Sequence, residues 1–484
     1  MVKTLLLAFA LLAGPDRALE GVVFLDRDGD GRQDPGEPGL EGIPLSDGIG
    51  IVLSGAEGRF RIASATGRVL LLKPAGHRPP PRPDGLPRLW LEAGDEPLSF
   101  PLLPIGEEPE RLLLLADPQV GTAEEVGHVD RSLRHRLAGE APVCATLLLG
   151  DLVNDRPELY AKLIAALAAP ERLLLALPGN HDLEPAAAAT PDPWASFRAR
   201  FGAVRYGLRC GRLRVLLLPG VVPLGPGRWR PGFDADDLRF AAAFAALGPA
   251  GDPVVIATHV PIAEEERMPE AETRALLEPF AGAPLALVAG HWHRQELRLD
   301  LPGVRLFWVV GAVSGSWWSG PPDAAGVPES PMSDGTPRGY GLLAWDGSRF
   351  RPAYRPARGG EPLHLHLPRV LAQGSYPSAM LWANLHLGHA GSQLRFRVGE
   401  GPWQPMERVA APDPTLFPLL VAQDRAERLP AWSRVPDPRP STHLWRARLP
   451  TGLAVGEHRI EVEAEDGFGN RHRAVASYRL ERRP

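Results

Sequence analysis

The hydrophobic pattern of the chain changes twice. Between residues 105 and 360, apolar runs of four to seven residues are separated by helix-like stretches, which is typical of a layered α/β fold. Residues 20–104 and 361–484 instead carry short apolar runs or alternating segments bounded by turn residues. We therefore predict a multidomain protein in which a small N-terminal β-domain and a C-terminal β-sandwich flank a central α/β domain.

The elements of the central domain can be read from these runs. The predicted strands are RLLLLA, VCATLLL, RLLLALP, LRVLLLP, PVVIATH, PLALVAG and VRLFWVV. The predicted helices are EEVGHVDRSLRHRLA, PELYAKLIAALAA, DADDLRFAAAFAAL and AETRALLEPFA. Functional residues are expected where the strands end.

The first residues, MVKTLLLAFALLAG, place one lysine before an apolar run of roughly ten residues, the pattern of a secretory signal peptide. We predict a signal peptide over 1–19 and a periplasmic or secreted protein. An uncleaved anchor and a plain N-terminal strand are the alternatives. No stretch reaches the roughly 18 apolar residues of a membrane helix, so no transmembrane segment is expected.

Composition narrows the class of protein. Of 484 residues, 44% are hydrophobic and 23% charged, close to the average of soluble globular proteins. The net charge of -5 lacks the basic excess of a nucleic-acid binder, so no nucleic acid partner is expected. The two cysteines, Cys144 and Cys210, are too few for a disulfide framework. We expect two free, buried thiols, with a single bridge as the alternative.

Polar clusters follow five of the predicted strands. Carboxylate, amide and imidazole groups gathered at one sheet edge can hold two divalent cations about 3.5 to 4 Å apart, with one carboxylate bridging both. Each cluster alone has an ordinary structural explanation, but five at strand ends favour a metal centre. The clusters are Asp117-Pro118-Gln119, Gly150-Asp151, Gly179-Asn180-His181-Asp182, Thr258-His259 and Gly290-His291-Trp292-His293.

This ordered set strongly resembles the calcineurin-like metallophosphoesterase superfamily, whose blocks run D-x-[HQ], G-D-x-x-[DN], G-N-H-[DE], H and G-H-x-H. The resemblance covers about residues 108 to 358 and implies a four-layer sandwich of two sheets flanked by helices. It extends to a bacterial subgroup in which N-terminal and C-terminal β-domains flank the catalytic domain. It also implies a ligand set: Asp117, Gln119 and His293 for one metal, Asn180, His259 and His291 for the other, and Asp151 bridging them.

The same resemblance implies a reaction. A hydroxide between the metals would attack phosphorus, and His181 would stabilise the transition state or protonate the leaving oxygen. Asp182 is expected to orient His181. Many members of the family carry histidine where this chain has Gln119. Because an amide oxygen favours harder ions than imidazole does, Mn²⁺ or Fe is expected over Zn²⁺, which remains an alternative.

An aromatic, glycine-rich stretch follows the last catalytic strand. Its residues Trp317, Trp318 and Tyr340 are candidates to line a substrate loop. The alternative is that these side chains pack the loop against the catalytic domain.

A second metal motif lies in the first β-domain. Oxygen-bearing side chains occupy positions 1, 3, 5, 9 and 12 of an EF-hand-like loop, with Gly31 at position six. The spacing predicts a calcium site that braces the domain, and a metal-free Asp/Gly turn is the alternative. The expected ligands are Asp26, Asp28, Asp30, the Arg32 carbonyl, Asp34 and Glu37.

The leading hypothesis is an exported dinuclear metal phosphoesterase that hydrolyses a phosphomonoester or phosphodiester. One alternative is a cell-surface or periplasmic protein that binds a glycan or protein through its β-domains and has a degenerate core. Another is a nucleotide pyrophosphohydrolase on the same core. The predicted boundaries are 1–19, 20–104, 105–360 and 361–484.

Overall fold

The computed structural model describes residues 17–94, 97–169, 172–185, 190–225, 227–375 and 378–483. Most of the predicted signal peptide lies outside these residues. The first strand, β1 (Arg17–Leu25), begins before residue 20 and buries Leu19 in the N-terminal core. Residues 17–19 therefore belong to this sheet, and a chain cut after residue 19 would lose three paired positions.

The N-terminal segment is a β-domain of two four-stranded sheets, with the strand orders β4-β1-β8-β6 and β3-β2-β5-β7. Phe60 and Phe100 from the first sheet and Leu45 from the second are buried in one apolar core. After β1, its strands are β2 (Pro44–Ser46), β3 (Ile51–Leu53), β4 (Arg59–Ser64), β5 (Arg68–Leu71), β6 (His77–Arg78), β7 (Trp90–Glu92) and β8 (Leu98–Pro104).

The central segment contains thirteen strands and five α-helices in its described residues. The strands are β9 (Arg111–Leu115), β10 (Ala145–Leu149), β11 (Leu174–Leu177), β12 (Tyr206–Cys210), β13 (Leu213–Leu218), β14 (Val221–Gly225), β15 (Arg228–Pro231), β16 (Val254–Thr258), β17 (Leu285–Ala289), β18 (Glu296–Arg298), β19 (Leu306–Val309), β20 (Gly339–Trp345) and β21 (Phe350–Pro356). The helices are α1 (Ala123–Ala138), α2 (Tyr160–Leu167), α3 (Ala195–Phe201), α4 (Ala235–Ala245) and α5 (Glu270–Leu277).

Two sheets stack in the central segment, with the orders β11-β10-β9-β20-β21 and β12-β13-β16-β17-β19-β18. Side chains alternate along each strand, so Leu114 faces the core between the sheets while Leu113 faces α1 and α2. In the second sheet, Val255 faces the shared core while Ile256 faces α4 and α5. The result is the four-layer α/β sandwich that the sequence predicts, and the predicted multidomain fold class is confirmed.

All seven predicted central strands and all four predicted helices are present. Six further strands, β12, β14, β15, β18, β20 and β21, and helix α3 were not predicted. Helix α3 has only seven residues and no side-chain cap, and the hairpin β14–β15 is a short two-stranded sheet that leaves the end of β13.

The expectation of two free thiols is wrong, because Cys144 and Cys210 form a disulfide. Cys144 precedes β10 in one sheet and Cys210 ends β12 in the other, so the bond joins the two halves of the sandwich. The cysteines are 66 residues apart, and their pairing depends on how the sheets stack. By the loop-entropy relation, closing such a loop stabilises the fold by about 4 kcal/mol.

The C-terminal segment is a sandwich of two sheets, ordered β22-β24-β28-β27 and β23-β30-β29-β25-β26. Leu381, Trp445 and Val462 lie in its apolar core. Among the described residues, no helix combines the length and hydropathy needed to cross a membrane. The elements are β22 (Leu363–His366), β23 (Val370–Ala372), β24 (Met380–Leu385), β25 (Gln393–Val398), β26 (Gln404–Pro405), β27 (Glu407–Pro412), α6 (Phe417–Asp424), β28 (Pro440–Arg448), β29 (Gly456–Glu465) and β30 (Arg471–Glu481).

Candidate metal centre

The five polar clusters lie beyond the carboxyl ends of central strands. Strands β9, β10 and β11 are mutually parallel neighbours, as are β16 and β17 in the second sheet. Parallel neighbours end at the same edge of a sheet, which is where ligand sites form in α/β folds. The structure brings Asp117, Asp151, Asn180, His259, His291 and His293 within a few ångströms of one another at this edge.

The backbone at this edge is strained. Asp117, Gln119, Asp151, His291 and His293 have φ values of 48°, 42°, 47°, 71° and 50°, in the left-handed region that side chains with a Cβ rarely adopt. Such residues cost of order 1–3 kcal/mol each and cluster at functional sites. These left-handed residues turn the chain sharply after each strand, so the side chains of the separate clusters converge.

Two glycines allow the loops to approach each other closely. A Cβ atom at Gly179 would collide with the Asp151 side chain, and one at Gly290 would lie 2.6 Å from an Asp117 carboxylate oxygen. Gly179 and Gly290 are therefore required because a side chain at either position would not fit beside the neighbouring carboxylate.

His259 lies at the centre of the cluster and is fully buried. Its Nδ1 donates a hydrogen bond to the Leu149 carbonyl at 2.9 Å, so in the neutral ring Nε2 carries a lone pair. That nitrogen lies 3.3 Å from Asp151 Oδ1, 3.1 Å from Asn180 Oδ1 and 3.2 Å from His291 Nδ1. Without a metal, a proton on Nε2 holds this nitrogen beside the Asp151 carboxylate; in place of that proton, the same carboxylate, amide and imidazole donors suit a divalent metal.

A second group of donors surrounds Asp117. His293 donates from Nδ1 to the Gly315 carbonyl, which leaves Nε2 facing Asp117 Oδ1 at 3.7 Å. The side-chain oxygen of Gln119 is buried and has no hydrogen-bond partner within the described part of the chain. A buried carbonyl oxygen without a partner costs free energy that a metal ion would recover. The residues present therefore fit two adjacent metal positions.

Burial and charge shift the pKa values of this cluster. Burial raises the pKa of Asp117 to about 8, with repulsion from Asp151 adding to it and the charge of His259 opposing it. Burial would lower the pKa of His259, but the charge and hydrogen bond of Asp151 raise it to about 9. Burial lowers the pKa of His291 to about 3 and that of His293 to about 4, which keeps both rings in the neutral form that binds metals.

His181 lies on the short 3₁₀ helix Asn180–Asp182, and its backbone N–H donates to Asp151 at 2.8 Å. The expected role of Asp182 is corrected here. Its buried carboxylate accepts hydrogen bonds from the backbone of Leu152 and Gly179 and from the Tyr160 hydroxyl, so it braces the loop instead of orienting His181.

The residue beside the His181 ring is Asp155. Both its carboxylate oxygens lie 3.2 Å from His181 Nδ1, and its φ of 57° is again in the left-handed region. Asp155 was not among the residues predicted from the sequence, although the polar pair Asn154-Asp155 shortly after Asp151 is a usable signal.

The three aromatic candidates have different surroundings. Trp317 is 52% exposed and stacks on His293, with ring centroids 4.4 Å apart. Trp318 is buried, and its indole N–H donates to the Pro118 carbonyl. Tyr340 is buried on β20 and bonds Glu140, so it packs the core instead of lining a loop. Trp318 and Tyr340 thus follow the packing alternative, and only Trp317 faces solvent at the metal centre.

The predicted calcium loop lies directly after β1. Oxygens of Asp26, Asp28 and Glu37 lie within 4.8 Å of one another, as do those of Asp28, Asp30 and Asp34. Gly31 has a φ of 79°, which produces the sharp turn expected at position six. The Asp26 carboxylate accepts hydrogen bonds from the backbone of Gly29 and Gly31. Repulsion from Asp30 raises the pKa of Asp34.

The chain matches two family models. Residues 111–295 match calcineurin-like phosphoesterase, and residues 308–472 match the C-terminal domain of calcineurin-like phosphoesterase. The first match spans the strands that carry the metal-ligand candidates. The second begins on β19 and continues into the C-terminal sandwich. No curated protein sequence matches the chain.

Three solved structures are similar to parts of this chain at low sequence identity. A 5'-nucleotidase from Candida albicans SC5314 is 11% identical with a TM-score of 0.31, and the match covers 52% of this chain and 53% of that one. This chain thus spans about half the length of that relative. A purple acid phosphatase from yellow lupin (Lupinus luteus) seeds is 11% identical, with a TM-score of 0.36 and coverages of 73% and 69%. A metallophosphoesterase from Sphaerobacter thermophilus is 16% identical, with a TM-score of 0.23 and coverages of 51% and 88%.

Since all three TM-scores lie below 0.5, the assignment rests on the two family matches and on the residues at the sheet edge. The chain belongs to the calcineurin-like phosphoesterase family.

Proposed function

We propose that the protein is an exported enzyme that hydrolyses a phosphomonoester or phosphodiester at a dinuclear metal centre. The observation that carries this proposal is the convergence of Asp151, Asn180 and His291 on Nε2 of His259. Asp117, Gln119 and His293 are the proposed second group of donors, and Asp151 is the proposed bridging ligand. When bound, two divalent cations supply Lewis acidity and an activated hydroxide.

His181 is the proposed proton donor to the leaving oxygen. Its Nδ1 faces Asp155, which leaves Nε2 to contact the ester. Its side chain is 34% exposed, so a substrate in solution can reach it. Asp155 fixes the ring orientation and stabilises the imidazolium, the role a carboxylate plays beside a catalytic histidine.

Mn²⁺ or Fe is the proposed metal in preference to Zn²⁺. The support is the side chain of Gln119, which offers a buried amide oxygen where many family members offer imidazole. Oxygen ligands favour harder cations.

Calcium is proposed for the loop Asp26–Glu37. Five acidic side chains in a twelve-residue loop repel one another, and a divalent cation would remove that repulsion. The loop connects β1 to the rest of the N-terminal domain, so the ion would act as a brace.

Export is proposed from two observations. The apolar N-terminal run follows the pattern of a signal peptide. The disulfide between Cys144 and Cys210 is a bond that persists in oxidising compartments and is rare in the cytosol. A periplasmic or secreted location accounts for both.

The test of the proposed function compares initial rates on matched aryl phosphate monoester and diester substrates, with the Mn²⁺-loaded protein and the Asp151→Asn variant as blank. We expect turnover of at least one ester well above the blank. Equal rates for the wild type and the variant on both esters would reject the proposal.

A further inference from the structure

Trp317 is an unusual residue to leave exposed. Its indole stacks on the imidazole of His293 at an interplanar angle of 23°, while more than half of its surface remains accessible to solvent. A large aromatic side chain in this position puts an apolar, flat surface beside a metal ligand. Exposed aromatic surface at the mouth of a site is typical of ligand recognition.

The loop around Trp317 is held in place without it. The Trp318 indole bonds the Pro118 carbonyl, and the Ser314 hydroxyl bonds the Asp117 carbonyl at 2.7 Å. The Ser330 hydroxyl bonds the Ser314 carbonyl. Trp317 nevertheless has a φ of 54°, a conformation that costs free energy for a residue with a Cβ. The buried hydrogen bonds already fix the loop. The exposed side chain of Trp317 and its strained backbone therefore indicate a role other than holding the loop.

A second tryptophan contacts the other metal-ligand histidine. Trp229 lies on β15 of the hairpin that leaves the end of β13, and its ring meets His291 edge-on at 5.7 Å and 88°. It is half-buried, and Arg228 beside it is exposed. Each of the two histidines of the last ligand block is therefore covered by one tryptophan from a different loop.

We propose that Trp317 and Trp229 form an aromatic clamp that selects phosphate esters whose organic group carries a flat aromatic or heteroaromatic ring. The inference rests on the proposed function, because it places the phosphoryl group at the metal centre between the two histidines. A flat ring joined to that phosphoryl group can stack on an indole face. Aromatic pairs contribute about 0.5–1.5 kcal/mol beyond buried area, or roughly two- to tenfold in affinity.

The binding test uses phenylphosphonate and cyclohexylphosphonate, which are not hydrolysed and differ mainly in the flatness of the ring. Titration calorimetry on the Mn²⁺-loaded full chain should give about fivefold tighter binding of phenylphosphonate. Trp317→Leu and Trp229→Leu should reduce that ratio to below about twofold, while Trp317→Phe retains it. Trp403→Leu, in the C-terminal sandwich, is the matched control and should leave the ratio unchanged.

A purely shielding role for the tryptophans predicts another pattern. In that case both phosphonates bind the wild type equally, or both lose affinity by the same factor in the leucine variants. Either result would overturn the clamp.

A turnover test separates failure of the clamp from failure of the proposed function. Benzyl phosphate and cyclohexylmethyl phosphate release alcohols of similar acidity, so their kcat/KM ratio reports recognition of the ring. We expect a preference for benzyl phosphate that both leucine variants lose. If both esters turn over with equal kcat/KM, the proposed phosphoesterase activity is supported and the aromatic clamp is rejected. If neither phosphonate binds and neither ester turns over above Asp151→Asn, the proposed function and the clamp both fail.

Discussion

Nδ1 of His181 lies 3.2 Å from each carboxylate oxygen of Asp155. The two residues come from separate loops, one after β10 and one after β11, and meet at the rim of the metal centre. This contact fits the proposed role of His181 as proton donor, which requires a defined ring orientation.

The contact between His181 and Asp155 predicts that substitutions of the two residues lower activity through the same interaction. Asp155→Asn should lower kcat on an aryl phosphate about 10- to 100-fold, and His181→Ala should lower it about 10²- to 10⁴-fold. Because Asp155 acts through His181, the double variant should be no slower than His181→Ala alone. Steady-state kinetics with measured metal content checks this. Independent, multiplied losses in the double variant would show that Asp155 has another role.

The side chain at position 119 is expected to set the preference between manganese and zinc, and a single substitution there should change it. Gln119→His replaces the buried amide oxygen with an imidazole nitrogen, which should increase zinc affinity relative to manganese by more than about tenfold. Competition titrations of the metal-free protein measure the ratio. An unchanged ratio would mean that the side chain at 119 does not contact the metal.

The acidic loop predicts stabilisation by calcium. At a calcium concentration 100 times the Kd, binding to the folded state adds about 2.7 kcal/mol to the free energy of unfolding. Thermal melts with and without a calcium chelator should show this gain in the wild type and lose it in Glu37→Gln. Glu41→Gln, an exposed glutamate just outside the loop, is the control. A calcium-dependent Tm that survives Glu37→Gln would contradict the site.

The hydrogen bonds of Asp334 predict that the stability of the contact between the central domain and the C-terminal sandwich depends on pH. Its buried carboxylate accepts hydrogen bonds from His443 in the C-terminal sandwich, at 3.0 Å, and from the backbone of Gln295, two residues after His293. Burial would raise the pKa of Asp334, but the hydrogen bond and charge of His443 outweigh it, so the pKa is lowered. The resulting stability is present above the unfolded pKa of about 3.9 and is lost as the pH falls through the lower folded value.

Asp334→Asn should therefore lower the Tm at pH 7 and weaken the fall of Tm below about pH 4. Melts over that pH range measure both effects, with Asp437→Asn, an exposed carboxylate of the C-terminal sandwich, as control. An identical dependence of Tm on pH in wild type and Asp334→Asn would show that Asp334 does not contribute to the loss of stability at low pH.

The sequence was sufficient for the seven apolar strands that form the centre of the α/β domain and for the clusters that follow five of them. Runs such as residues 112–116 and 285–289 are apolar on both faces because each strand is buried between two layers, so they stand out without tertiary information. The ends of parallel strands share an edge, which is why Asp117, Asp151 and His259 could be expected together.

The features that were missed depend on contacts between distant segments. The partner of His181 is decided by the left-handed turn at Asp155, and no periodicity reports that turn. The pairing of Cys144 with Cys210 depends on the stacking of two sheets. The Gly-Pro-Gly sequence before Trp229 is a turn signal, but the contact of Trp229 with His291 depends on how the chain leaves the end of β13.

The most direct test of the central claim is anomalous diffraction from crystals of the Mn²⁺-loaded protein. We expect two manganese peaks at the sheet edge, one among Asp117, Gln119 and His293 and one among Asn180, His259 and His291, with Asp151 contacting both. The Asp151→Asn crystal should lose at least one peak. A wild-type map with no peak at this edge, or with a single ion that Asp151 does not contact, would contradict the dinuclear centre.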